Sequence, residues 1–115
     1  MPYRRGDIVL VLFPDSNLRT SKRRPALVVQ RDDLRSGLPQ TIVALITSNI
    51  GRGEHPSRKL VRQTSEEGRQ MGLHTDSVIM TDNLVTVIDG EFDKVIGQCP
   101  QMEAIDVALK HTLSL

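Results

Sequence analysis

Five polar residues stand where apolar runs begin or end, and together they have the parts for phosphate chemistry. Arg24 directly precedes Pro25 and the run Ala26-Leu27-Val28-Val29. Proline pushes the residue before it into extended backbone and is tolerated at the first residue of a strand. Arg24 is therefore expected where a loop meets a core strand. Its planar guanidinium fork matches two phosphate oxygens at once. Thr47 and Ser48 close a second apolar run and add hydroxyl donors. Asp82 and Asn83 close a third and add a carboxylate and an amide. In a small β-barrel, strand ends converge on a rim, so these groups are able to line one concave site. Such a set can hold a phosphodiester and move a proton beside it. The same residue types also form turns, with Thr47, Ser48 and Asn83 satisfying backbone groups and Asp82 shaping a turn. Spacing alone leaves both readings open.

Other chemistries find less support. His55, His74 and His111 show no ligand spacing, and Cys99 is the single cysteine, so neither a zinc site nor any other cofactor is expected. Gly51-Arg52-Gly53 is too short for a phosphate loop and opens no helix. No Lys-Ser or Lys-Thr pair follows a glycine-rich turn, which excludes P-loop nucleotide hydrolysis. Ser16, Ser48 and Ser77 have no histidine close in sequence, although triads assemble in space. Tyr3, Phe13 and Phe92 are the only aromatic residues besides histidine, so stacking platforms for bases are scarce.

With a net charge of +1, no global field attracts nucleic acid. Arginine and lysine nevertheless crowd the first third of the chain, from Arg4 and Arg5 through Lys22, Arg23 and Arg24 to Arg35, which allows a local basic patch. A lone cysteine suits a reducing cytosol. No secretory h-region or membrane-spanning run is present, so a cytoplasmic location without membrane association is expected.

The 115 residues suffice for one domain with a real core, spanning residues 1–115. Strands are expected over residues 7–13, 26–30, 41–46, 58–63 (an edge strand rich in cations), 77–80, 84–88 and 94–98. Pro25 is expected at the first position of the second strand, after a polar loop running through Lys22. Residues 50–57 carry two glycines and a proline and predict a mobile loop, and residues 64–72 a polar excursion. Asp89-Gly90 predicts a tight turn. Met102, Ile105, Ala108, Leu109, Thr112 and Leu113 fall at helical spacing, predicting one amphipathic C-terminal helix after Pro100. Several short strands and one terminal helix predict a mostly β fold, a small and strongly bent barrel.

These residues, taken together, resemble the MazF/PemK (Kid) family of toxin endoribonucleases from type II toxin–antitoxin systems. The resemblance rests on Arg5-Gly6-Asp7-Ile8-Val9, on Arg23-Arg24-Pro25-Ala26-Leu27-Val28-Val29, and on residues 41–48 ending in Thr47-Ser48. It continues through Gly72-Leu73, Asp76-Ser77-Val78-Ile79, Asp82-Asn83-Leu84-Val85-Thr86 and Ile96-Gly97 to Ala108-Leu109. It implies an SH3-like barrel forming a homodimer, and metal-independent cleavage of single-stranded RNA at short motifs. It also implies an antitoxin partner whose disordered segment lies over the RNA site. Arg24, Thr47 and Asp82 match the family's catalytic positions, with Arg24 at the scissile phosphate and, as in the Kid branch, Asp82 as general base, or else Arg24 taking that proton transiently. Thr20, Lys22, Arg23, Ser48 and Asn83 are the expected substrate-binding residues. Two departures stand out. Asn83-Leu84-Val85 replaces a Gln-x-Arg pattern, and Met80 falls where one branch has an arginine. These lost cations favour an alternative reading, a barrel that binds nucleic acid or a partner without cutting it. Gyrase-poisoning toxins share this fold but depend on a C-terminal tryptophan, which this chain lacks.

Overall fold

A computed structural model describes residues 3–14 and 21–115. Six strands form one antiparallel sheet in the order β4-β5-β3-β2-β1-β6. In chain order they are β1 (Asp7–Pro14), β2 (Ser21–Val28), β3 (Gln40–Thr47), β4 (Arg58–Val61), β5 (Ser77–Ile88) and β6 (Phe92–Gln98). Helix α1 (Glu66–Gln70) joins β4 to β5, and α2 (Met102–Leu113) ends the chain. The fold is mostly β with a C-terminal helix, as the periodicity predicts. The sheet does not close on itself: β4 and β6 are its edges.

Alternation along the central strands builds two cores. Ile8, Leu27, Ala44 and Ile46 point to one face, where Ile105 of α2 and Met71 and Leu73 after α1 complete a buried cluster. Val9, Val11, Ala26, Val28 and Val43 point to the other, with Val87 and Phe92. Strands buried on both faces read as continuous apolar runs, which is why residues 26–29 show no polar alternation. Tyr3 stacks on Phe92 at the second cluster, with ring centroids 4.3 Å apart.

Three expectations about elements need correction. Strand β2 starts at Ser21, not at residue 26, so Lys22, Arg23 and Arg24 lie within the strand and pair with β1. Pro25 is therefore internal to the strand, opposite Leu10. It is tolerated because only β1 pairs there; β3 joins β2 from Ala26 onward. Residues 77–80 and 84–88 are not separate strands but one, β5, with a bulge that shifts its register against β3 between Ala44 and Leu45. Residues 64–72 contain α1, whose N-cap Ser65 accepts a hydrogen bond from the Gly68 amide at 3.0 Å. Five residues show too little periodicity to predict a helix.

Candidate active site

The pairing between β2 and β3 stops early. Ala26 pairs with Leu45, Leu27 with Ala44 and Val28 with Val43. Continued by the same register, Pro25 would face Ile46, Arg24 would face Thr47 and Arg23 would face Ser48. None of those pairs forms, and the end of β3 pairs only with β5, Ile46 with Ile79 and Thr47 with Val78. Proline has no N–H to donate, so Pro25 ends the ladder at the point where the strands part. The gap opens into a cavity of about 360 Å³, within the usual range for ligand clefts. Arg24 and Thr47 stand on its two banks.

The cavity collects most of the residues singled out from sequence. Arg23, Arg24, Thr47, Ser48 and Asn83 all line it. Arg23 also pairs with Asp93 of β6 at 3.4 Å. Thr47 is half-buried, and its Oγ1 accepts the Asn49 amide at 3.2 Å, leaving its own O–H to donate. Lys22 is exposed on β2 and does not line the cavity. Thr20 lies outside the described residues.

Asp82 is held differently. It is not at a strand end but in the β5 bulge, and it is not among the residues lining the cavity. Its carboxylate accepts from Arg58 of β4, at 2.8 Å from Nη2 and 3.4 Å from Nε. This forked hydrogen bond holds the Asp82 carboxyl below the usual carboxylate range, and it raises Arg58 in turn. The bulge is anchored by its neighbour Thr81, fully buried, whose Oγ1 donates to the Ser57 carbonyl at 2.6 Å and lies 2.8 Å from Thr112 Oγ1 of α2.

Arg52, Thr75, Ser77 and Met80 complete the polar and apolar walls, and sequence reasoning singled out none of the first three as ligands. A cation between two glycines shortly after Thr47-Ser48 is the available signal for Arg52, and as a phosphate-loop fragment it is a weak one. Among the described residues, three arginines and no carboxylate line the cavity. Arg5 and Arg31, also in the first third, are engaged elsewhere: Arg5 pairs with Asp106 of α2 at 2.5 Å, and Arg31 pairs with Asp33. His55 and His111 approach edge to face, with ring centroids 6.0 Å apart, and His55 Nδ1 accepts the Ser57 amide. Among the described residues, no group of three or more histidine, cysteine or acidic side chains is placed to hold a metal ion. Among the described residues, no helix is long and apolar enough to cross a membrane.

The family described as "PemK-like, MazF-like toxin of type II toxin-antitoxin system" matches residues 4–113. The chain belongs to the PemK/MazF toxin family. The toxin is 32% identical over 107 residues to endoribonuclease MazF6 of Mycobacterium tuberculosis, covering 90% of each chain. It is 29% identical over 118 residues to endoribonuclease EndoA of Bacillus subtilis, covering 100% of this chain and 97% of that protein. In fold it is similar to M. tuberculosis toxin MazF-mt6, with a TM-score of 0.73, 23% identity and coverage of 95% and 97%. A mycobacterial endoribonuclease solved in complex with its cognate antitoxin gives a TM-score of 0.73 at 22% identity, with coverage of 98% and 96%.

Proposed function

We infer that this PemK/MazF toxin is an endoribonuclease that cuts single-stranded RNA and thereby stops translation. Its membership of the family and the endoribonuclease names of its relatives support the activity. The observation that carries the site assignment is the parting of β2 and β3, which sets Arg24 across a cationic cavity from Thr47.

The proposed reaction is attack by the RNA's own 2′-oxygen on the adjacent phosphorus. The bond from phosphorus to the 5′-oxygen breaks, giving a cyclic phosphate and a free 5′-hydroxyl. Because the nucleophile belongs to the substrate, the protein need only align it, neutralise the crowded oxyanion and manage two protons. Arg24 bonds the non-bridging oxygens, stabilises the developing charge and gives the leaving 5′-oxygen its proton, which it regains from solvent. Thr47 and Ser48 donate to the phosphate, and Asn83 offers an amide to a base edge. Asp82 is the proposed acceptor of the 2′ proton, on a condition: its carboxylate must first leave Arg58. Lys22 and Arg23 steer the backbone by charge, which makes binding salt-dependent.

The partner is an antitoxin, as in the solved complex of the mycobacterial relative. The proposed working unit is a homodimer, and its proposed location is the cytoplasm. Incubation of the purified toxin with a long single-stranded RNA in EDTA tests the reading. Discrete fragments with cyclic-phosphate and 5′-hydroxyl ends are expected, and their loss in Arg24→Ala. Intact RNA from a folded, antitoxin-free toxin would instead support a binding module, the reading favoured by Met80 and Val85.

A further inference from the structure

We propose that Arg52 is a second phosphate ligand of the RNA site, acting alongside Arg24; this rests on the endoribonuclease reading above. Arg52 closes the 3-10 turn Ile50–Arg52, which follows Thr47 and Ser48 after the capping residue Asn49. The turn is bonded throughout. Asn49 accepts the Gly51 amide on its side chain at 3.2 Å and the Arg52 amide on its carbonyl at 3.1 Å. The Gly53 amide donates to the Ile50 carbonyl at 3.0 Å, and Arg58 donates to the Arg52 carbonyl at 3.4 Å. Asn49 is itself tied to Thr47 Oγ1. The Arg52 backbone is thus held in fixed relation to the threonine proposed to touch the phosphate.

Its side chain turns into the cavity, where Nη1 lies 4.0 Å from Met80 Sδ. A thioether is a weak acceptor and carries no charge, so this contact occupies at most one of the five guanidinium donors and neutralises nothing. Among the described residues, no carboxylate pairs with Arg52, whereas Asp93 pairs with Arg23 and Asp82 with Arg58. Among the described residues, the wall around it offers Ser48, Thr75, Ser77 and Asn83, and no acid. A guanidinium in a cleft without a counter-charge is complementary to an anion, and the anion this cleft is proposed to hold is a phosphodiester. An arginine at position 80 would bring its charge to the same part of the cavity, so Met80 leaves room for a cation that Arg52 supplies from the neighbouring turn.

The test uses the full chain with a 2′-O-methyl RNA that cannot be cut, titrated at several salt concentrations, beside cleavage of unmodified RNA. Arg52→Met is expected to weaken binding by about 3- to 10-fold and to flatten the slope of log affinity against log salt by about 0.7, one phosphate contact. Its kcat/KM is expected to fall by about 10- to 100-fold at an unchanged Tm. Arg52→Lys should keep the salt slope, and Met80→Arg added to Arg52→Met should restore cleavage. Wild-type affinity, slope and kcat/KM in Arg52→Met would overturn the proposal, as would losses that merely follow a lowered Tm. Should the wild type leave RNA uncut, the endoribonuclease reading fails, and the binding titration still decides the role of Arg52.

Discussion

Arg24 faces Thr47 across a ladder that stops just short of both, so each can present its polar head to the cavity rather than to the other strand. Arg24 is exposed on β2, where it stands opposite Val11 of β1, and truncating its side chain should leave the fold intact. Arg24→Ala is expected to lower kcat/KM by about 10²- to 10³-fold with an unchanged thermal midpoint, read by fragment analysis and melting. Asp82 sets the pH dependence. Arg58 holds its carboxyl below the ordinary range, and a general base works only when deprotonated. Cleavage should therefore persist as pH falls through the ordinary carboxylate value of about 4 and fail only below it. Arg58→Met removes the fork and should move the acid limb of the kcat/KM profile upward, towards that value. An acid limb that stays in place would remove Asp82 from the proton transfer.

Among the elements, β2 and β5 make the site, one by leaving the sheet's ladder and the other by bulging out of it. Pro25 is the local cause of the first. Pro25→Val restores an N–H and should let β2 pair further along β3. Exchange protection at the new amide, with cleavage lowered by up to ~100-fold through the closed gap, is the expected result. The segment after α1 meets β6 at two glycines. A Cβ on Gly97 would lie 2.3 Å from the Met71 carbonyl carbon, and one on Gly72 would lie 2.1 Å from the Ile96 carbonyl oxygen. These backbones touch directly, so Gly97→Ala must force them apart. It should cost about 1–3 kcal/mol of stability in denaturant unfolding, since backbone yields less readily than a flexible side chain.

For the whole molecule, two carboxylates tie the edge strand β4 to β5. Asp82 is bonded to Arg58, and Asp76 accepts from the Gln63 amide at 2.9 Å and from Arg62 at 3.0 Å. The Gln63 amide and then Arg62 hold the Asp76 carboxyl below its usual range, as Arg58 does for Asp82. A carboxyl lowered on folding binds protons more weakly in the folded state than in the unfolded one. Its stabilisation is complete above the unfolded value of about 4 and is lost as pH falls through the lower folded value. Acidification should therefore release β4 first. Hydrogen exchange at amides of β4 is expected to rise below about pH 4 before that of β1–β3, and Asp76→Asn should remove part of this pH dependence at neutral-pH stability slightly below wild type.

Much of this protein was legible in the sequence because its causes are local. The runs at residues 7–13 and 41–46 are β-rich and apolar whatever surrounds them, and the stripe from Met102 to Leu113 has helical period on its own. Arg24, Thr47, Ser48 and Asn83 were identifiable by type and by place along their runs, and they line one cavity. Other features depend on partners far along the chain. Whether Pro25 begins a strand or interrupts a ladder is decided by where β3 stops pairing. Whether residues 81–83 end a strand or bulge from it is decided by Ser57 and Thr112, which hold Thr81 in place. Asp82 reads as an available carboxylate until Arg58, in another strand, takes it. Arg52 reads as a loop cation until its turn carries it over Met80. Period and residue type are properties of the chain, whereas the pairing of charges across strands exists only once the strands are side by side.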